Sequence, residues 1–511
     1  MPRETAAAPF SAIAHTARDF VAVGMGNYGA MALSLAISIA LTRRLGVEAF
    51  GHLALLLMAS QVLSFFVFNW THVSCVRFGA HEYGQRSTVA TTVWTRMWIV
   101  APWMVAAGTV LVVARDALAA YLGIPVWGLG LVFAHFVCTY AVSLVGAIFQ
   151  SRQEMRCYGV MLFLEKAVLL VAIFLVPVVW IHGPLRVLGV YVLSTLLVSV
   201  IGFGWVGWRA LLPVRADRGL YDQMWRFSLP MIVSGWVGLL GTYGLDYLMI
   251  KWYLPLRDLG WYALAAQVTG MAQQVTIIFS TLVLPRISIL AANQETEKIK
   301  IYVVRFLPYW LLGASLLFCA VLLSIGALVP LTFGAEFRGA VAPLAVLMLA
   351  SVALALYNAL TPVVCAYGDT WSLAVVCVVS ALTNVGMNLW LIPRYGIVGA
   401  AAATVVAYWV SAIGVLGLVQ RRLSVPLAPL VTLGLPVAAV YACLHYLPSV
   451  HRQAAAMLTG ALSIAGLLFA FRLFRGENAI VLHRLEPPAT PAGAQVIFNG
   501  RESCLSESSR R

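Results

Sequence analysis

Five ionisable side chains stand where the surrounding sequence is apolar. Such groups are costly at membrane depth unless they meet a partner or a cavity. Glu165 and Lys166 are neighbours inside the run at about 158–180, and Asp246 lies five residues before Lys251, in the run at about 229–251. Arg96 and Arg305 stand near the ends of runs at about 95–114 and 303–330. A carboxylate in low dielectric can exchange a proton or bind Na⁺, which makes Asp246 and Glu165 the ion-coupling candidates. A cation there can meet a phosphate, because attraction grows as the dielectric falls. Lys166, Arg305 and Arg96 are therefore the substrate-binding candidates. Each residue also has a structural reading. Glu165 and Asp246 can form interhelical salt bridges, and Lys166 can pair with an acid on a neighbouring helix or extend its stem toward water. Arg96 and Arg305 suit headgroup anchors. Glu165 and Lys166 point about 100° apart on a helix, so they are not expected to pair efficiently with each other.

These residues need apolar elements to hold them, and the composition supplies little else. Of 511 residues, 62% are apolar and 10% charged, and the mean hydropathy is +0.91. A soluble domain carries about a quarter charged residues. Disordered, coiled-coil and disulfide-framework chains are excluded by the same numbers, leaving an all-α polytopic membrane protein. Net charge is +14, and 29 of the 33 basic residues are Arg. The basic residues fall in short segments between apolar runs, so membrane topology accounts for them and nucleic acid is not a partner. The eight cysteines are scattered without a CxxC, and no cofactor or metal site is expected. Signatures of ATP hydrolysis, zinc proteolysis or serine hydrolysis (GxxxxGK[ST], HExxH, GxSxG) do not occur, so the chain reads as a secondary transporter and not an enzyme.

A span needs about 20 mainly apolar residues. On that criterion about 14 transmembrane helices are expected, near 20–42, 49–70, 95–114, 122–149, 158–180, 185–207, 229–251, 259–285, 303–330, 340–362, 371–393, 396–419, 426–447 and 453–473. The first apolar run is long and continues into more of the same, so it is not read as a cleavable leader. With the N-terminus inside, the inner segments carry 23 Lys/Arg and the outer loops 9, with Lys166 within a span. This predicts both termini in the cytoplasm. The segment Leu45–Leu55 (LGVEAFGHLAL) lies over Leu254–Leu264 (LPLRDLGWYAL) without a gap, at an offset of 209. Both copies join the first two helices of a six-helix set, which makes the repeats parallel. The basic linker Arg209–Arg226 falls between the sets. The expected division is therefore an N-terminal lobe 1–207, a cytoplasmic linker 208–228, a C-terminal lobe 229–419, two additional helices within 420–474 and a cytoplasmic tail 475–511.

Three motifs carry a resemblance. The hairpin Leu41–Gly51 (LTRRLGVEAFG) resembles the opening hairpin of bacterial oligosaccharide flippases. So does the second-lobe opening, Phe227–Pro230 (FSLP), Leu245–Tyr247 (LDY) and Leu259–Ala265 (LGWYALA). The stretch Asn388–Thr404 (NLWLIPRYGIVGAAAAT) resembles that family's junction of spans 11 and 12. The chain is thus similar to the polysaccharide-export branch of the multidrug/oligosaccharidyl-lipid/polysaccharide exporter superfamily. The resemblance implies two parallel six-helix lobes plus two C-terminal helices, and movement of an undecaprenyl-diphosphate-linked oligosaccharide between leaflets. In physical terms, Pro393 and Gly396 set a tight turn, and Gly399 with the alanines after it lets backbones approach closely.

The expected function is flipping of such units across the bacterial inner membrane, for O-antigen, capsule or exopolysaccharide, by alternating access of two lobes. Membrane lipids, a polysaccharide polymerase and export machinery are the further partners. The alternatives are a polytopic glycosyltransferase, ligase or polymerase on the same carrier, and a same-fold peptidoglycan-precursor flippase or multidrug antiporter. Asn27, Asn358, Asn384 and Asn388 can serve either sugar hydroxyls or helix contacts.

Overall fold

A computed structural model describes residues 8–176, 183–207, 211–212, 214, 216–241 and 243–424. Among the described residues every regular element is helical. Helix α1 spans Ala8–Val67, α2 His72–Arg86, α3 Ala90–Val113 and α4 Arg115–Leu122. Next come α5 (Val126–Ser151), α6 (Met155–Leu175) and α7 (Pro184–Val206). The second half holds α8 (Arg218–Gly241), α9 (Tyr243–Tyr253), α10 (Leu256–Ala292) and α11 (Thr296–Ile301). It ends with α12 (Leu307–Phe333), α13 (Val341–Ala366) and α14 (Thr370–Leu423). Nine helical stretches among the described residues are long and apolar enough to cross a membrane. The expected thirteenth and fourteenth spans and the tail lie outside the described residues.

Two of those stretches each hold two spans that meet at a glycine. In α1 the kink is Gly46, at φ 73° and ψ 178°. In α14 it is Gly396, at φ 61° and ψ −141°. Both conformations are readily open only to glycine. The turn expected at Gly396 is therefore present, whereas the loop expected over 43–48 shrinks to the one residue Gly46. Gly399 fills its packing role across that turn, since a Cβ there would lie 2.3 Å from the Leu391 carbonyl oxygen. The second span also differs from expectation. After a 3₁₀ turn at Asn69–Thr71, the helix resumes as α2 and runs to Arg86, well past the expected end near residue 70. Hydropathy falls there because His72, Arg77, His81 and Glu82 are polar, while the helix itself persists. Ser87 ends it in the left-handed region, at φ 54°. Glu82 then closes the start of α3, its two carboxylate oxygens accepting from Thr91 N at 3.0 Å and from Thr92 N at 2.8 Å. Those amides have no partner within their own helix.

Helices α1 to α7 pack chiefly among themselves, as do α9 to α14, and α8 touches both groups. Helix α1 meets α10 between the groups. That contact is backbone on backbone. A Cβ on Gly51 would lie 2.3 Å from the Leu256 carbonyl oxygen, and one on Gly260 would lie 2.2 Å from that of Val47. Gly260 is Gly51 plus 209, and Leu256 is Val47 plus 209. The two copies of the internal repeat therefore touch each other through equivalent atoms, as a two-fold interface would. Around this seam Arg43 donates to the carbonyls of Leu331 at 2.6 Å and Thr332 at 2.8 Å. Tyr121 donates to Leu248 O at 2.6 Å, Gln267 Nε2 to Ser38 Oγ at 2.5 Å, and Phe50 meets Phe337 edge-on at 5.8 Å.

Candidate functional site

Asp246 is 1% exposed, on the short helix α9. Its Oδ2 accepts from the Tyr262 hydroxyl at 2.5 Å and from Thr404 Oγ1 at 3.0 Å. Its Oδ1 accepts from Asn388 Nδ2 at 2.7 Å, and the same amide nitrogen also donates to Asn384 Oδ1 at 3.0 Å. One carboxylate thus ties α9 to α10 and to both limbs of α14. Neighbour spacing explains the assembly. Asn384 and Asn388 are one turn apart on the first limb, and Ala400 and Thr404 one turn apart on the second. The Gly396 turn folds the limbs together, and Gly399 lets them close. Asp246 is bound by neutral donors here, so the salt bridge raised as its alternative reading is not what the described residues provide.

The cluster is rich in oxygen. Besides the carboxylate it holds Asn384 Oδ1, Asn388 Oδ1, Thr404 Oγ1 and the Ala400 carbonyl, to which Thr404 also donates at 3.2 Å. Asn388 Oδ1 is buried without a donor among the described residues. A half-turn of that amide would bring Oδ1 to where Nδ2 now points at Asp246. Oxygen atoms of these types are what a hard cation takes as ligands. Sequence reasoning singled out Asp246, Asn384 and Asn388 but missed Tyr262 and Thr404. For Thr404 the signal was its one-turn spacing from Ala400 within the junction motif.

Glu165 and Lys166 lie in α6, apart from Asp246 and on the other group of helices. Contrary to the expectation from their spacing, they pair: Lys166 Nζ donates to Glu165 Oε1 at 2.6 Å. The four-carbon lysine stem is long enough to curl back across the angle between adjacent positions, and charge attraction in apolar surroundings rewards it. His135, which shares a 2.8 Å hydrogen bond with Ser60 Oγ and meets the Tyr191 ring at 6.1 Å, lies within electrostatic reach of both charges.

The two arginines separate. Arg96 is 0% exposed, so it neither anchors at a headgroup nor lines a cavity in this conformation. Its Nε donates to Thr71 Oγ1 at 2.9 Å and its Nη2 to Ser143 Oγ at 3.3 Å, while the guanidinium lies 5.5 Å from the Tyr140 ring centre. These hydroxyl partners carry no counter-charge, which is why hydropathy and charge gave no warning of burial. Arg305 is exposed, on a π-helical turn at Tyr302–Phe306 that precedes α12. Of the four asparagines, Asn358 donates to Thr276 Oγ1 at 2.8 Å and Asn27 is exposed.

A family model described as "Polysaccharide biosynthesis protein" matches residues 16–291. Among solved structures, the chain is similar to lipid II flippase MurJ in an inward closed conformation. The TM-score is 0.69, with 11% identity, over 89% of this chain and 99% of that one. It is also similar to a multidrug resistance MATE family transporter of the MOP superfamily in an inward-facing conformation. That likeness has a TM-score of 0.60 and 13% identity, over 77% of this chain and 94% of the other. A Vibrio cholerae MATE transporter, VcmN, gives 0.52 and 16%, over 80% and 96%. At these identities the likeness is one of fold. No curated protein matches the chain.

Proposed function

The chain belongs to the polysaccharide biosynthesis protein family, and from that premise we propose that it flips a polyprenyl-diphosphate-linked oligosaccharide across the bacterial cytoplasmic membrane for surface polysaccharide assembly. The observation that carries the reading is the family match itself, which covers the seam-forming halves of α1 and α10. The two helix groups are the lobes of the transporter, with boundaries near 207 and 229. They part and close by alternating access while the polyprenyl tail stays in lipid. Asp246, with the oxygens around it, exchanges H⁺ or Na⁺. Binding a cation would withdraw Asp246 from Tyr262 and Thr404, and so loosen α9 from α10 and α14. In the other lobe, the Glu165–Lys166 pair supplies a second carboxylate for the coupling ion and, when opened, an ammonium for the diphosphate. Arg305 meets the same charge at the membrane surface.

Deleting the gene is expected to remove a surface polysaccharide and to leave its lipid-linked repeat unit accumulated on the inner face. Unchanged polysaccharide with loss of peptidoglycan-precursor export would transfer the protein to the peptidoglycan alternative. Orientation is tested separately. Reporters fused after Arg218 are expected to read cytoplasmic and those fused near Arg257 periplasmic. A cytoplasmic signal at Arg257 would overturn the span order and the lobe assignment together.

A further inference from the structure

The end of α2 and the starts of α3 and α8 line a cavity of about 680 Å³ that none of the residues discussed so far as substrate or ion contacts lines. Arg77, His81 and Arg86 stand in its wall, beside the amides of Gln85 and Gln223. Two acids are present as well, and both are committed. Glu82 holds the start of α3, accepting also from Thr92 Oγ1 at 2.7 Å. Asp217 Oδ1 accepts from Leu220 N at 2.8 Å and holds the start of α8. Each therefore sits against the partial positive charge of a helix N-terminus. No ion pair joins Arg77 or Arg86 to a carboxylate among the described residues.

Arg86 has a local reason to be there, since the last turn of a helix favours a cation. Arg77 stands more than two turns earlier and has none. Its guanidinium lies 4.7 Å from the ring centre of Phe227 and 5.7 Å from that of Phe78, and Arg77 is exposed. Stacking fixes the faces of a guanidinium and leaves its N–H edge free for an oxyanion, which it can meet with two parallel bonds. The volume lies within the ordinary range for a ligand pocket, roughly 300–1,000 Å³. The cavity also sits where apolar helices begin, since the spanning stretch of α3 starts at Ala90, beside Thr91 and Thr92. A ligand whose tail remains in the bilayer can therefore reach it.

We propose that this cavity is a receiving site for a phosphate-bearing headgroup, namely the sugar-linked diphosphate of the lipid carrier, held by Arg77 and Arg86 before the lobes turn over. Gln85, Gln223 and His81 offer donors and acceptors to the sugar hydroxyls. The assignment rests on the flippase reading for the identity of the headgroup. Its site, away from both Asp246 and the Glu165–Lys166 pair, is independent of that reading. The same chemistry would also attract the headgroup of an anionic phospholipid.

The test uses the full chain in nanodiscs of phosphatidylcholine, with geranylgeranyl diphosphate as the probe and binding measured calorimetrically. Arg77→Gln is expected to weaken binding about tenfold, and Arg86→Gln several-fold, with the thermal transition of the protein unchanged. Arg77→Lys should restore only part of the affinity, because an ammonium cannot form the forked contact. Equal affinity in wild type and in Arg77→Gln overturns the site. Replacing part of the phosphatidylcholine by phosphatidylglycerol separates the sources. Undiminished probe binding supports the carrier diphosphate, whereas competition that disappears in Arg77→Gln assigns the cavity to bulk lipid and ends the proposal. Failure of the site would leave gene-deletion results standing. A deletion without effect on any lipid-linked intermediate would end the flippase reading while leaving the binding result intact.

Discussion

Asp246→Asn is expected to lower the appearance of lipid-linked oligosaccharide at the outer leaflet by tenfold or more, with wild-type amounts of protein in the membrane. The substitution keeps volume and shape but removes the charge, and it places an amide where only acceptors now stand. Asn388 Nδ2, the Tyr262 hydroxyl and Thr404 Oγ1 all donate toward Asp246. One of them would face an N–H in the variant. Asp246→Ala serves as the structural control. It removes the shared acceptor of three buried donors, of which Thr404 can fall back on the Ala400 carbonyl and Asn388 on Asn384, and an unsatisfied buried polar group costs about 1–3 kcal/mol. That variant should therefore lose protein from the membrane as well as flux. The two outcomes separate a coupling carboxylate from a purely structural one. Flux equal to wild type in Asp246→Asn, across pH and Na⁺ concentration, would remove the residue from the mechanism.

Gly51→Ala and Gly260→Ala should each part the two helix groups at the seam and, on the flippase reading, reduce flux several-fold. The atoms that a new Cβ would strike are the carbonyl oxygens of Leu256 and Val47, at 2.3 and 2.2 Å. Both belong to helix backbones, so no rotamer change can relieve the overlap, and the helices themselves must move. Because the two contacts are equivalent, the two variants should behave alike, and the double variant should add little to either. Ser38, buried at the seam and bonded to Gln267, reports the separation. In a Ser38→Cys background, labelling by a membrane-impermeant maleimide is expected to rise several-fold when either glycine is replaced. Labelling that stays at the level of the glycine-intact control would show that the helices absorb the methyl group without parting.

Much of the scaffold is legible in the residues. Long apolar runs with few charges mark the spans, Pro393 and Gly396 mark a turn, and the 209-residue offset marks two related halves. That the two copies meet is not legible, because a repeat fixes register within each half and says nothing about contact between halves. Asp246 stands out because acids are scarce at depth, and Asn384 and Asn388 stand out with the other two asparagines for their amide chemistry. Tyr262 and Thr404 are invisible beside them, since a tyrosine or threonine in an apolar helix is usually there for packing or for a local backbone bond. Arg96 misled for a related reason. Position near a span end suggested the headgroup layer, whereas single hydroxyls on α5 and beside α2 draw it inward. Glu165 and Lys166 show the limit of arguing from Cβ directions when one partner carries a long flexible stem.

The seam has a consequence for how easily the two halves come apart. Where bulky side chains interlock, each must withdraw past its neighbours before the surfaces separate, and the exposed sockets are left empty. Glycine against peptide backbone involves no such withdrawal. The strips lift away from one another without a change of rotamer, and lipid or water can lie flat on either. Resistance to parting then rests with the apolar side chains that flank the strip, Phe50 against Phe337 among them, and with tethers, Arg43 on the carbonyls of Leu331 and Thr332 and Tyr121 on that of Leu248. Water can take the place of each tether, so the join adheres without latching and can be parted and remade.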